Sequence, residues 1–174
     1  HFYLLFQASP FEDPANLRGL TAFTGRLLMR GAGSHDRRAF EEAIDNIGAE
    51  VATVTRGDAM SIGGFGLLRH VEPFLSLIAD ATIRPRFDEV EIERLRREML
   101  AEIDTIQDED AQLARVWFRR TLFGGHPFEH AALGTRAGIE KITVDDVRAQ
   151  HRAICHRSRA LVGMSGAASE SQLT

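Results

Sequence analysis

Apolar residues recur along this chain with two periods, and the switches between them mark the elements. Phe2 to Ala8 is apolar, aromatic and of strand length, and reads as a β-strand. Pro10 to Asn16 is a loop in which Pro14 opposes regular structure. Over Gly19–Gly31 (GLTAFTGRLLMRG) the spacing changes: Leu20, Phe23, Leu27 and Leu28 stand at i, i+3, i+7 and i+8, one face of an amphipathic helix. Gly19 starts this segment, and Gly31 sits where a left-handed residue would end it. Gly25 lies in the helix interior, where it costs roughly 1 kcal/mol against Ala. Such a helix either needs room beside Gly25 or has lost a residue that once had a task. Ser34 or Asp36 caps a second helix, with Phe40, Ile44 and Ile47 on one face and Gly48 as its stop.

Glu50 to Arg56 is β-branched and reads as a strand. Gly57-Asp58 is a turn, and Ala59 to Leu68 returns as the second arm of a hairpin. Gly63, Gly64 and Gly66 in that arm lack phosphate-loop spacing and a following lysine, so close packing or a bulge is the reading. His70 to Thr82 is a helix with Val71, Phe74, Leu75 and Ile78 inward. The longest helical segment begins at Asp88 and carries Ile92, Leu95, Met99, Ile103 and Ile106 on its apolar face. Asp108-Glu109-Asp110 marks a bend, and a further helix reaches about Phe123. After the Gly124-Gly125-His126-Pro127 loop, Thr143 and Asp146 form an approximate capping box for a helix running to about His156. Ala160 to Met164 is the last strand, and Ser169-Glu170 is a candidate start of another helix. Helical pairs interrupted by a hairpin argue an α+β fold, a mostly antiparallel sheet with helices on one face.

With 174 residues, 44% of them hydrophobic, the chain suits one domain. A net charge of −4 gives no basic surplus for nucleic acid, and no apolar run reaches membrane-spanning length. Compartment stays open, bacterial cytoplasm or periplasm, because any leader would lie outside the sequence. Cys155 is the single cysteine, which excludes an internal disulfide framework. Among seven histidines, His126 and His130 are four apart but separated by Pro127, and His151 and His156 flank Cys155. None has zincin spacing, so capping or surface roles are the simpler reading. The Asp108–Asp110 carboxylates are read as a solvated helix junction. The residues alone show no catalytic constellation.

The order of these pieces resembles the N-terminal domain of the M16 peptidases, the family of pitrilysin, insulin-degrading enzyme and the mitochondrial processing peptidases. GLTAFTGRLLMRG stands where that family carries a Gly-led helix with H-x-x-E-H. Gly48-Ala49 follows, and Ala52-Thr53-Val54-Thr55 stands for the family's N-A-x-T strand. Glu102 matches the distal glutamate of the long helix. His126-Pro127-Phe128, Leu133-Gly134-Thr135 and Ile139 to Asp146 match the remaining segments. The resemblance covers nearly the whole chain and implies a single N-terminal domain over 1–174, read as a fragment lacking the first strands and the C-terminal domain.

In active members two histidines and the distal glutamate hold zinc, and the motif glutamate is the general base. The matching positions here are Ala22 and Arg26 for the histidines, Gly25 for the base and Glu102 for the third ligand. Methyl, hydrogen and guanidinium cannot ligate a cation or take a proton. The resemblance therefore implies a pseudo-peptidase that binds no zinc itself, with zinc in an active partner. It implies a heterodimer with a catalytic M16 subunit, or a homodimer, enclosing a peptide substrate. Arg26 is expected to pair with Glu102, and Ala52 to Thr55 to accept an extended peptide as an added strand, without the family's Asn. Two alternatives stay open: an active metallopeptidase with substitute ligands, such as Glu102 with His126 or His130, and a purely structural core-type subunit.

Overall fold

A computed structural model describes residues 1–167. Four strands form one antiparallel sheet: β1 (Phe2–Gln7), β2 (Glu50–Arg56), β3 (Ala59–Phe65) and β4 (Ala160–Met164), in the order β2-β3-β1-β4. Phe2, Leu4 and Phe6 of β1 alternate with exposed Tyr3 and Leu5, so the described residues cover one sheet face and leave the other open. That face packs on α1 (Leu20–Leu27), α3 (Val71–Ile83) and α4 (Glu89–Asp108) through Phe23, Leu27, Phe74, Ile78, Leu95 and Met99. The remaining helices are α2 (Arg37–Asn46), α5 (Asp110–Leu122), α6 (Arg136–Ile139) and α7 (Val144–Ile154). The architecture is the expected α+β layer pair. No described helix is long and apolar enough to cross a membrane.

α1 sits at the centre of this arrangement, and nearly every side chain on it is buried, Thr21 and Thr24 included. It ends earlier than the periodicity suggests. From Gly25 onward the chain tightens into i→i+3 bonds (Leu28 N–H to Gly25 O at 3.2 Å, Arg30 N–H to Leu27 O at 3.0 Å). Gly31 is left-handed, φ +112°, but lies beyond that turn rather than at the helix end. The start of α1 depends on glycine for a different reason. Gly19 (φ +107°) and Gly134 (φ +94°) cross back to back, and a Cβ on Gly134 would lie 2.2 Å from the Arg18 carbonyl oxygen. Thr135 N–H donates to that same oxygen at 3.2 Å, so the Leu133–Thr135 loop is stitched to the α1 N-terminus.

Further differences are local. β3 stops at Phe65 instead of Leu68, and residues 68–70 form a single 3₁₀ turn. Gly63 and Gly64 are in regular register without a bulge, and reflect close packing: a Cβ on Gly63 would meet the Tyr3 ring at 2.9 Å. On α3, Leu77 is buried while Val71 and Leu75 are only partly so. α7 ends at Ile154, its start fixed by the full Thr143/Asp146 capping box. α6 is too short for a periodic signal, and follows from Thr135 capping Gly138 N–H. The Ser169-Glu170 helix start lies outside the described residues.

Candidate functional site

α1 is aimed by a buried carboxylate. Asp13, 3% exposed, accepts from Gly19 N–H (3.0 Å), Thr21 N–H (3.2 Å) and Thr21 Oγ1 (2.5 Å). Thr21 Oγ1 in turn accepts from Gln150 Nε2 of α7 at 2.8 Å. Asp13 thus caps a helix whose own N-cap, Gly19, has no side chain to do so. Burial pushes its carboxyl above the ordinary value, against the lowering pull of the Thr21 hydroxyl and the two amides. Nothing in the pattern around Asp13 signals this role, since the cap comes from outside the helix.

So oriented, α1 lays Arg26 against α4. The Arg26 guanidinium grips Glu102 with both arms, Nη1 to Oε2 at 2.6 Å and Nη2 to Oε1 at 3.2 Å. Arg30, one turn on, donates to Glu98, one turn back on α4, and to Glu91. The two helices therefore meet through an antiparallel ladder, Arg26 on Glu102 and Arg30 on Glu98. Arg30 holds the Glu98 carboxyl below the usual carboxylate range. Glu91, 7% exposed, also takes Arg37 of α2 at 3.4 Å and Arg94 at 2.8 Å. The i, i+4 spacing of Arg26/Arg30 and Glu98/Glu102 was the available signal for the second rung.

Ala22 is buried one turn before Arg26 on the same helical face. Gly25 points instead at the sheet. A Cβ there would lie 2.9 Å from Met60 Sδ, 3.2 Å from Met60 Cγ and 3.3 Å from Thr55 Oγ1. The expectation of room beside Gly25 is therefore corrected: β3 fills that space, and helix and sheet close on each other. β2 is an edge strand, with Thr53 and Thr55 half-buried toward the helices and Ala52 and Val54 on the open face.

The histidines are spread apart. His126 Nδ1 accepts from Phe128 N–H, and His130 contacts Glu129 at 3.1 Å in the loop after α5. His151 Nε2 meets the Thr82 carbonyl at 2.8 Å beneath Phe87, and its pKa is lowered by burial. His156 Nδ1 caps the turn at Ser158. Burial drives the Cys155 thiol up to about 12, away from the thiolate form. Among the described residues no three His, Cys, Asp or Glu side chains converge as a metal-binding set.

The donor set around Glu102 thus does not suit a dication: one carboxylate, both of whose oxygens a guanidinium already engages. The model of the insulinase family, peptidase family M16, matches residues 3–136. The chain belongs to this family. It is 21% identical over 94% of its length to a non-peptidase homolog, YmxG, of Helicobacter pylori, and covers 38% of that protein. It is 25% identical over 91% of its length to a probable mitochondrial-processing peptidase subunit beta of Arabidopsis thaliana, covering 30% of it. Among solved structures, an M16 peptidase inactive domain from Pseudomonas fluorescens superposes with a TM-score of 0.92 at 25% identity, over 99% of this chain and 42% of that one. The chain therefore spans about two fifths or less of the length of these relatives.

Proposed function

We propose that this M16 chain is a catalytically silent unit, the N-terminal domain of a pseudo-peptidase subunit that holds peptide beside an active, zinc-bearing partner. The observation that carries the reading is the two-armed Arg26–Glu102 contact. Ala22, Gly25, Arg26 and Glu102 are the positions at which the family keeps its two histidines, its base and its third ligand. A guanidinium supplies no lone pair and repels a dication, and here it engages both oxygens of the remaining carboxylate. The Arg30–Glu98 rung beside it extends the same chemistry. An ion-pair ladder between α1 and α4 thus takes the structural place of a metal.

The similarity to a non-peptidase homolog and to an inactive domain supports the same reading. Peptide holding falls to β2, whose free edge offers backbone donors and acceptors to an extended chain without requiring particular side chains. Thr55 faces inward, its Oγ1 3.3 Å from where a Cβ on Gly25 would lie, so β2 packs directly on α1 next to Arg26.

The experiment is zinc analysis of the purified protein by mass spectrometry, with peptide hydrolysis measured in parallel and after chelation. The reading expects zinc well below one equivalent and no chelator-sensitive cleavage by this chain alone. Stoichiometric, tightly held zinc accompanied by hydrolysis would overturn it. Co-purification from the native host then tests the partner: recovery with a soluble zinc peptidase supports the reading, and recovery with a membrane complex favours a core-type structural subunit instead.

A further inference from the structure

The lapsed site has a second component that no motif position contains. Met60 on β3 is fully buried, and its side chain lies against the α1 backbone at Gly25. The Cβ of any residue at position 25 would start 2.9 Å from Met60 Sδ, nearer than a Cβ carbon comes to a non-bonded neighbour, so the thioether would have to shift. Thr55 Oγ1, at 3.3 Å, closes the same space from β2. A longer side chain would have to displace the thioether or lift α1 off the sheet.

We propose that Met60 is a volume plug for position 25, so that the general-base position is sealed by the core as well as lost from the helix. The packing stands independently, while the meaning of a glutamate at 25 rests on the reading in the previous subsection. The chemistry points the same way as the volume. A thioether is a weak acceptor with no proton to donate, so of the two side chains that close on this position only Thr55 offers a donor. Burial without adequate donors disfavours the charged form that a general base needs. Restoring motif residues alone therefore leaves the position unusable. Met60→Thr would return the space and add a hydroxyl.

The test uses thermal midpoints and zinc content together. Ala22→His with Arg26→His, leaving Gly25, restores ligands only, and is expected to take up about one equivalent of zinc. Adding Gly25→Glu with Met60 in place is expected to lower the midpoint by roughly 4–8 °C, the scale of overpacking a core in a domain of this size. Adding Met60→Thr to that protein is expected to recover most of the loss. A Gly25→Glu protein that keeps its midpoint with Met60 present overturns the plug alone. A ligand-restored protein that folds yet takes up no zinc overturns the underlying assignment of Ala22, Arg26 and Glu102.

A milder cycle covers the case in which the multiple variants fail to fold. Gly25→Ala is expected to lower the midpoint beside Met60, and to raise it in a Met60→Ala background, where the helix preference for Ala over Gly is no longer opposed. Additive shifts in that cycle would refute the plug.

Discussion

Replacing Asp13 offers the sharpest check on how α1 is held. Asp13→Ala removes the acceptor for two backbone amides and one hydroxyl, all buried. Loss of a helix cap costs about 1 kcal/mol, and each buried donor left without a partner adds about 1–3 kcal/mol. Removing a carboxylate that burial itself disfavours offsets part of this, leaving a net loss of about 3 kcal/mol, or roughly 6–12 °C in a domain of this length. Asp13→Asn keeps one carbonyl acceptor and is expected to cost about 1 kcal/mol. The pH dependence separates cap from charge. The folded-state pKa of Asp13 is raised by burial, so its contribution is fully present below the ordinary carboxylate value of 3.8 and is lost as pH rises through the folded value. Urea unfolding of wild type and Asp13→Asn, repeated in steps from about pH 3 upward, should show the wild type losing stability relative to Asn across that window and tracking it in parallel above. A difference that is flat through the window, or that grows in favour of the wild type with rising pH, would refute the assignment of burial as the dominant influence.

The Arg26–Glu102 pair is more than a third exposed on both sides, so a double-mutant cycle with Arg26→Ala and Glu102→Gln should give a coupling below about 1 kcal/mol that shrinks in high salt. A large, salt-insensitive coupling would contradict this. Arg96, by contrast, is 15% exposed, donates to the Ile139 and Ile142 carbonyls and lies over the Phe23 ring at 5.8 Å. Arg96→Ala should therefore cost about 2–3 kcal/mol in denaturant unfolding, and Arg96→Lys should recover only part of it, because an ammonium lacks the fork. The Cys155 thiol, driven up to about 12 by burial, should resist a thiol reagent at pH 8 in the native protein and react once the protein is unfolded; prompt native labelling would show the site to be open.

What the sequence disclosed and what it withheld divide along a physical line. β2 and β4 are readable to the residue, β2 as a β-branched run stopped by the Gly57-Asp58 turn and β4 as a short apolar run, both of them local signals. The inward face of α4 at Ile92, Leu95 and Met99 followed from helical period alone, and so did the burial of Leu20, Phe23, Leu27 and Leu28. The facing of Arg26 and Glu102 came from family spacing rather than from any pattern within either helix. By contrast Met60 and the crossed glycines at 19 and 134 act between elements far apart in sequence, and Asp13, though only six residues before Gly19, reaches α1 from a separate turn; a single chain records no distances between elements. Gly25 is the instructive case. Its propensity cost is visible in the sequence and is consistent with either a lost residue or room beside the helix, and the packing shows the reverse of room. A glycine in a helix signals only that a side chain is absent. Whether that absence leaves a cavity or admits a neighbour depends on the opposite surface, here a methionine on the middle of a sheet. For the same reason a catalytic position can be closed by a residue that no motif includes, and restoring a motif in such a protein requires reading the wall that faces it.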